Sequence, residues 1–347
     1  MKIKKGKTEI EVTEEVPELY ESIAELTNPI LQELKYGIST WIEKDPFEKM
    51  NVSVWIQNDI GANAFSVYEN GRNYIVLTVG LCKVFWDEIE EFVGRTNFKK
   101  VFTLSDEKKD SYKRLLYMHI LNFIIAHEFG HIVHGHLLVK SSKGFVEEFY
   151  NDNETLQNEE KWKTQLQEFD ADIFAAMIST SIILENSDEQ RERLNSNIDF
   201  LCLIFYLSFD VFAKKFNRNF SNYLEEDITT RDHPYPGIRM YYSIFPIIQG
   251  LMYKENGLNE IVLDAIKSGI DAVISYERQV LEKDKFKESY FSVGGTKKGV
   301  QHIMNLVNGW NKLADSYAEY SYIPLYKTGD IKAMSYFINE IGDFIQE

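Results

Sequence analysis

The sequence predicts a helix-dominated α+β protein that has one small antiparallel or mixed β-sheet and extra C-terminal helices. Three observations predict this class. Short β-like runs are confined to residues 52–79, apolar residues at helical spacing fill most of the remaining chain, and no internal repeat or low-complexity tract is present. The hydrophobic fraction of 44% over 347 residues is enough to bury a substantial core, which argues against a disordered chain.

The sheet is predicted in the first third of the chain. Residues 52–57 are typical of a strand, and two further β-like runs cover residues 64–68 and 74–79. The dipeptide Asn70-Gly71 lies between these two runs and is the strongest short hairpin signal available. We therefore expect the second and third strands to form a hairpin.

Helices are predicted on both sides of the sheet. Their bounds are 16–36 with an interruption at Pro29, 83–94, 105–135, 158–185 and 188–216, with several more up to residue 347 that break near Gly257, Gly294 and Pro324. The helix over 105–135 is apolar on nearly every side, which predicts burial. Residues 141–160 are polar and predict a connection. We divide the chain into an N-terminal helical segment (1–50), a central domain (51–245) and a C-terminal helical region (246–347).

The charge of the chain limits its partners. There are 54 Asp+Glu against 38 Lys+Arg, so the net charge is −16, which disfavours nucleic acid or an anionic membrane surface as the main partner. The longest apolar runs, Leu115–Ala126 and Phe200–Phe209, are shorter than the ~18–20 residues of a membrane span. The N-terminus lacks a secretory signal, and there are only two cysteines. The sequence therefore predicts a soluble, cytoplasmic protein without membrane insertion, and it indicates no oligomeric state.

The pattern that carries chemistry is AHEFGHIVHGH at residues 126–136. His127 and His131 are four residues apart and share one helical face, so both imidazoles can reach a single metal ion. Glu128 lies beside the first histidine and can contact a water on that metal without binding the ion itself. The pattern predicts a Zn²⁺ cofactor with Glu128 as the general base. The alternative is a pair of core histidines beside an ion-paired Glu128.

A catalytic zinc takes three protein ligands, so one must come from elsewhere in the chain. His134 and Leu137 exclude the longer motif H-E-x-x-H-x-x-G-x-x-H. Glu168 and Asp172 are four residues apart on a predicted helix, and we assign Glu168 as the third ligand. Asp172 then accepts the N–H of a zinc-bound histidine. Asp170 is the alternative ligand, and an acidic, solvated helix face is the alternative for Glu168 and Asp172.

Hydrolysis also needs a donor for the developing oxyanion. The loop RDHPYPG at residues 231–237 offers His233 and Tyr235, and Arg239 follows it. We predict His233 and Arg239 as catalytic residues and leave open whether His233 or Tyr235 stabilises the oxyanion. The structural alternatives are a helix-start role for His233 and a surface ion pair for Arg239.

The other histidines are expected to be structural. His134 lies one turn beyond His131 on the same stripe and is expected to be structural or to support the ligands. His136 follows Gly135 near the predicted helix end and is expected to cap it. His119 is expected to be a core residue.

Five segments occur in an order that resembles the HtpX-like and CAAX-prenyl-protease group of gluzincin metallopeptidases. They are ANAF (62–65), YIVLTVGL (74–81), HEFGHIVHGH (127–136), EFDAD (168–172) and HPYPGIR (233–239). That family typically shows N-A-F on an edge strand, a strand ending in T-x-G-L, and H-E-x-x-H-x-x-x-G-H followed by E-x-x-x-D and H-P-x-x-x-x-R. The resemblance covers residues 51–245, and its specificity lies in the ordered set.

The resemblance implies a zincin-like metallopeptidase fold. It implies zinc ligands at His127, His131 and Glu168, catalysis by Glu128, and support of the site by Asp172, His233 and Arg239. It also implies that the strand near Asn63, Ala64 and Phe65 binds an extended substrate peptide by backbone pairing. Family members often carry transmembrane helices, and none is predicted in this chain.

The sequence therefore predicts a soluble zinc-dependent metalloendopeptidase that acts on a protein or peptide substrate in extended conformation. One alternative is a catalytically silent or regulatory binding protein on a zincin scaffold, with zinc structural or absent. Another is a phage-exclusion-type protease that cuts a single host protein. The presence of Glu128 favours an enzyme, because a structural metal site does not need a base.

Overall fold

The computed structural model of the chain describes residues 1–42, 50–94, 106–139, 145–147, 158–185, 191–215, 231, 233–254, 260–279, 292–325 and 327. Within these residues the protein is helix-dominated and has one small mixed sheet, as the sequence predicts. The predicted break near Gly257, most of the predicted connection over 141–160 and any helix beyond residue 327 lie outside the described residues.

The sheet has six strands. They are β1 (Lys2–Lys5), β2 (Thr8–Thr13), β3 (Val52–Gln57), β4 (Ala64–Glu69), β5 (Arg72–Thr78) and β6 (Phe145–Glu147). Their order across the sheet is β1-β2-β3-β5-β4-β6. Only β3 and β5 pair in parallel, and the other neighbouring strands are antiparallel. The predicted hairpin is confirmed: Glu69 pairs with Arg72 across Asn70-Gly71, and both turn residues have positive φ.

The helices account for most of the chain. They are α1 (Glu21–Ile42), α2 (Val79–Gly94), α3 (Asp106–Val133), α4 (Asn158–Glu185), α5 (Arg191–Lys215), α6 (Pro236–Tyr242), α7 (Phe245–Lys254), α8 (Glu260–Gln279), α9 (Ser292–Gly295) and α10 (Lys297–Leu313). A short 3₁₀ helix, Ala314–Tyr317, follows α10. In the described part of the chain, no helix combines the length and the apolar content needed to cross a membrane.

The two faces of the sheet bury different side chains, as the period of two in a strand requires. One face packs on the helices through the main-core residues Val54, Ile56, Ala64, Ile75 and Leu77. The opposite face forms a small second core from Ile3, Val12, Phe65, Val67, Tyr74 and Val76. The sheet is therefore covered on the helical side and closed on its other side by its own N-terminal hairpin.

That hairpin corrects the sequence analysis, which assigned residues 1–50 to a helical segment. β1 and β2 pair around Gly6, whose φ is 60°, and β2 then joins β3 through Val12 and Thr13. Ile3 and Val12 are fully buried and attach the hairpin to the sheet. The helix of this segment begins only at Glu21.

Helix α1 continues through Pro29, where the sequence analysis expected an interruption. Tertiary contacts of the two preceding residues explain the difference. The Thr27 and Tyr117 hydroxyls are hydrogen-bonded at 2.6 Å, and the Asn28 side chain exchanges two hydrogen bonds, of 2.8 and 3.2 Å, with the backbone of Val16. These contacts offset the hydrogen bond that a proline cannot donate.

Helices α3 and α4 form the centre of the molecule, and their bounds agree with the predicted ranges 105–135 and 158–185. They approach closely at Gly130. A Cβ atom added there would lie 3.3 Å from the Cα of Ala171 and 3.2 Å from the ring of Phe174. The absence of a side chain at Gly130 therefore sets how close the two helix axes come.

The C-terminal region packs against the end of α3. The Tyr322 N–H and the Ser321 hydroxyl both donate to the carbonyl of Val133, at 2.8 and 3.2 Å. The Gln167 side chain on α4 donates to the Tyr317 hydroxyl at 3.0 Å. Residues of the 246–347 region thus directly contact the helices that carry the sequence motif.

The buried histidine His119 on α3 makes folding stability depend on pH. Burial lowers its pKa from 6.5 to about 4. Between these values the unfolded chain binds a proton that the native chain does not bind, so stability falls as the pH falls through this window. Between pH 7 and pH 5, the free energy of unfolding should fall in both proteins, but by about 2 kcal/mol less in His119→Phe than in wild type. Urea unfolding of the metal-free chain at the two pH values measures both falls. Equal losses in both proteins would contradict this assignment.

Candidate metal centre

Helix α3 presents both motif histidines to one point. The Nε2 atoms of His127 and His131 are 3.1 Å apart, and the two rings meet edge to face. Both side chains are buried, with exposed fractions of 1% and 0%. Their four-residue spacing produces this geometry, because positions one helical turn apart share a face.

Helix α4 brings Glu168 to the same point. One carboxylate oxygen of Glu168 lies 3.3 Å from His127 Nε2, and the other lies 3.4 Å from His131 Nε2. Gly130 lies between the two histidines in sequence, and Ala171 lies between Glu168 and Asp172, so the close helix contact falls at the level of the cluster. The two histidine side chains and the Glu168 carboxylate therefore converge on one point, as a shared metal ion would require.

The spacing of the donor atoms fits a small cation. A tetrahedral ion with bonds of about 2.0–2.1 Å holds its ligands about 3.3 Å apart. Here the two Nε2 atoms are 3.1 Å apart, His127 Nε2 lies 3.3 Å from one oxygen of Glu168, and His131 Nε2 lies 3.4 Å from the other. Burial alone would raise the pKa of the Glu168 carboxyl, but electrostatic attraction to His233 and contacts from His127 and His131 lower it well below its ordinary value. The group is thus a buried, anionic set of three donors that could hold a metal ion.

The helix contact at Gly130 gives a direct test of this convergence. We expect Gly130→Ala to displace α4 by a few tenths of an ångström and to weaken metal binding about 10-fold, because ligand sets tolerate little displacement. Gly250→Ala is the matched control, since its Cβ would make only ordinary contacts of 3.4 Å and more, with Thr180 and Leu184. Metal affinity can be measured by competition with a chromogenic chelator. Equal affinities in the two variants would contradict the structural role of Gly130.

Asp172 lies against the first histidine. Its Oδ1 lies 2.9 Å from His127 Nδ1, which leaves Nε2 directed at the cluster. Arg239 binds the same carboxylate in a bidentate manner, with Nε and Nη2 each 2.8 Å from an oxygen. The Tyr242 hydroxyl donates to Oδ2 of Asp172. Burial acts to raise the pKa of Asp172, and Arg239 and His127 together lower it below its ordinary value.

Arg239 belongs to the cluster, and its guanidinium faces the carboxylates of the cluster. Besides Asp172, its Nη2 lies 3.5 Å from Glu168, and its guanidinium stacks over the ring of Phe209 at 4.7 Å. Only 3% of the residue is exposed, so the alternative of a surface ion pair is excluded. Arg239 is therefore positioned as a buried counter-ion. It lies on helix α6, which begins at Pro236.

His233 also reaches the cluster, and Tyr235 is placed differently. His233 Nε2 lies 3.7 Å from Glu168, and 12% of the His233 side chain is exposed. Tyr235 is fully buried, and its ring lies under the guanidinium of Arg231 at 5.8 Å. Among the cluster residues that the structure describes, His233 is therefore the one on the solvent side.

Glu128 directly follows His127 in sequence and has no exposed surface. It does not belong to either of the groups whose atoms are spaced for a metal ion in the described part of the chain. Its expected role as a base beside the metal stays a prediction. The whole cluster is closed to solvent in this conformation except at His233.

A second buried group lies behind the first. It consists of His134, His136 and Asp170, and it too could hold a metal ion. The Asp170 carboxylate contacts His134 Nδ1 and lies 3.2 Å from His136 Nε2, while His136 Nδ1 lies 2.8 Å from His131 Nδ1. Asp170, the alternative ligand of the sequence analysis, thus belongs to this second group. His136 caps the helix end as expected, through its backbone N–H, which donates to the carbonyl of His131 at 3.0 Å, while its ring belongs to this second group.

The protonation of this second group follows from its burial and charges. Burial lowers the pKa of His136 to about 4, so its ring is neutral at pH 7. Burial would raise the pKa of Asp170, but electrostatic attraction to His134 and contacts from both histidines lower it below its ordinary value. Asp170 is therefore ionised and accepts hydrogen bonds only.

The expected substrate strand is not the edge of the sheet. Strand β6 pairs antiparallel with β4 at residues Phe65, Ser66 and Val67, so β6 takes the outer position. Ala64 and Phe65 are fully buried, and the backbone of Asn63 is hydrogen-bonded to Thr78 at 2.8 and 2.9 Å. The sequence analysis read 141–160 as a polar connection and so did not anticipate a strand from it.

Two functional contacts escaped the sequence analysis. Tyr242, which binds Asp172, lies three residues after Arg239 and so on the same helical face, a spacing that could have indicated it. The contact of His136 with His131 depends on how the chain leaves α3, which periodicity does not show.

No family model, curated protein or solved structure matches the chain.

Proposed function

We propose that the protein is a zinc-dependent metallopeptidase of the gluzincin type that its ordered motifs resemble. The observation that carries this proposal is the spacing of 3.1 to 3.4 Å between His127 Nε2, His131 Nε2 and the Glu168 carboxylate. Two imidazoles and one carboxylate are the ligand set of a catalytic zinc that keeps a position for water. The two histidines enclose Glu128 in sequence, which supplies the carboxylate that such chemistry needs.

Zinc, when bound here, would lower the pKa of a water molecule and polarise the carbonyl of a peptide. Glu128 accepts the proton of the attacking water and passes it to the leaving amine. His233 is the partly exposed polar group at the cluster and is our candidate for the oxyanion donor. Arg239 and Asp172 hold His127 and Glu168 in place.

The substrate in this proposal is a protein or peptide in extended conformation. Only the His233 side of the cluster has exposed surface in the described residues, so we propose that substrate approaches from there. A substrate strand that pairs with β4 at Phe65–Val67 would have to take the place of β6, because one strand edge pairs with only one neighbour. The closed site therefore has to open before hydrolysis.

A second candidate follows from the burial of the ligands. His131 and Glu168 have no exposed surface, which is typical of a structural zinc site. On this basis the chain would be a catalytically silent or regulatory binding protein on a zincin scaffold. A protease of the phage-exclusion type, with one host-protein target, is the narrow form of the first proposal.

A search for new protein termini separates these candidates. A bacterial proteome is incubated with the zinc-loaded chain or with its Glu128→Gln variant, and the new N-termini are identified. Many new termini that need Glu128 would support a general peptidase, and one would support a single-target protease. If neither protein generates new termini while zinc remains bound, the silent binding protein is favoured.

A further inference from the structure

Helix α3 ends in a turn that returns the chain over its own last residues. Gly135 has a φ of 75°, its N–H donates to the carbonyl of Ile132 at 3.1 Å, and the His136 N–H donates to the carbonyl of His131 at 3.0 Å. These two hydrogen bonds define a Schellman motif. Any side chain at Gly135 would collide with the backbone of Tyr320, 2.6 Å from an added Cβ. The turn places the His136 ring against the ring of His131.

The hydrogen bonds of this turn fix where each ring carries its proton. His136 Nε2 lies 3.2 Å from Oδ2 of Asp170, and the Asp170 carboxylate offers this ring nitrogen an acceptor, which favours a proton on Nε2. Its Nδ1 then has a lone pair and accepts a hydrogen bond from His131 Nδ1 over 2.8 Å. His131 is left with an unprotonated Nε2, the atom that faces His127 and Glu168. A metal ion needs that lone pair.

We propose that His136 and Asp170 are positioning residues that hold His131 in the tautomer and orientation that bind the metal. The inference rests on the metal centre of the proposed function and deepens it. Asp172 orients His127 directly, at 2.9 Å. Asp170 orients His131 through the intervening imidazole of His136, so each histidine ligand is tied to a carboxylate.

The surroundings keep the intervening ring in place. His136 has no exposed surface, and Asp170 is 3% exposed. The rings of Trp310 and Tyr317 contact His136 edge to face, with centroids 5.7 and 5.3 Å away. The C-terminal region therefore contributes to the metal centre by enclosing His136.

The distances favour this role over a second metal ion. His134 Nδ1 is in direct hydrogen-bond contact with Asp170 Oδ2, closer than the about 3.3 Å that separates two ligands of one tetrahedral ion. Both ring nitrogens of His136 lie at hydrogen-bond distances from partners, at 2.8 and 3.2 Å. In the first group, by contrast, the two Nε2 atoms are 3.1 Å apart and lie 3.3 and 3.4 Å from one or the other oxygen of Glu168, all close to that value.

Zinc affinity of four proteins tests the proposal. Dissociation constants are measured by chelator competition for wild type, His136→Leu, His136→Asn and the control His119→Leu, which removes another buried histidine of α3. We expect His136→Leu to bind zinc about 10- to 100-fold more weakly and His119→Leu to bind like wild type. His136→Asn should recover part of the affinity, because its Oδ1 can accept from His131 Nδ1. If His136→Leu does not fold, Asp170→Asn takes its place with the same expected loss.

Two results would overturn the proposal. One is a zinc affinity of His136→Leu equal to that of His119→Leu. The other is binding of two zinc ions by wild type with loss of only one in His136→Leu, which would make His134, His136 and Asp170 a second metal site. The peptidase proposal can fail separately, because these zinc affinities are measured without hydrolysis and do not depend on whether the protein cleaves peptides.

Discussion

Glu128→Gln is expected to abolish measurable peptide hydrolysis while the chain keeps its full zinc content. Glutamine has nearly the same shape as glutamate but cannot accept the proton of the attacking water, and general-base catalysis contributes about 10²- to 10⁴-fold to rate. The proposed ligand atoms belong to His127, His131 and Glu168, which could hold a metal ion, and the change does not touch them. Hydrolysis is measured on the substrate found by the terminus search, and zinc by elemental analysis.

The control for this variant is His127→Ala, which removes a ligand. We expect His127→Ala to lose zinc and hydrolysis together, whereas Glu128→Gln loses hydrolysis alone. Retention of activity in Glu128→Gln would exclude Glu128 as the base. Loss of zinc from Glu128→Gln would instead indicate that Glu128 binds the ion.

Arg239→Met is expected to lower the free energy of unfolding of the metal-free chain by about 3–5 kcal/mol. The guanidinium makes two hydrogen bonds of 2.8 Å to Asp172 and lies 3.5 Å from Glu168. Both carboxylates have no exposed surface, so the variant leaves buried negative charge without its cation. Urea unfolding at pH 7 measures the loss.

Two further variants separate buried charge from lost packing. Lys83→Met removes the exposed ion pair with Asp87 and should change stability very little. Asp172→Asn combined with Arg239→Met should destabilise the chain by less than the sum of the two single changes, because the double variant lacks both partners. Strict additivity would show that Arg239 stabilises the fold by packing on Phe209 and not by its charge.

The ligand pair and the central helices could be predicted because they depend on local periodicity. His127 and His131 share a face of any regular helix, and the bounds of α3 and α4 follow from long apolar patterns. The assignment of Glu168 needed one more step, a contact between two helices, and the spacing to Asp172 indicated which face it lies on. The close approach that makes this contact depends on Gly130, which a periodic pattern does not distinguish.

The sequence-based predictions that were wrong concern features that depend on tertiary pairing or on the exact path of the chain. Ile3, Ile10 and Val12 alternate with charged residues around Gly6, which is a hairpin signal, but this segment was considered only for a secretory signal and was then included in the helical segment 1–50. Helix α1 passes through Pro29 because its neighbours are held by Tyr117 and Val16, which are distant in sequence. Strand β6 has only three residues, too few for a pattern to form.

The position of His136 could be predicted only in part from the sequence. The dipeptide Gly135-His136 predicts a helix end, and the helix does end there. Which way the ring then points is decided by the positive φ of Gly135 and by the enclosing rings of Trp310 and Tyr317. These last two residues come from a region some 180 positions away in the chain, so no local pattern contains the information.

Anomalous scattering at the zinc edge, from crystals of the zinc-loaded chain, tests the central claim most directly. We expect one anomalous peak per chain, bound by Nε2 of His127, Nε2 of His131 and the carboxylate of Glu168. A peak among His134, His136 and Asp170 with none at the first group would contradict it. So would a fully zinc-loaded protein in which Glu168 lies away from the ion.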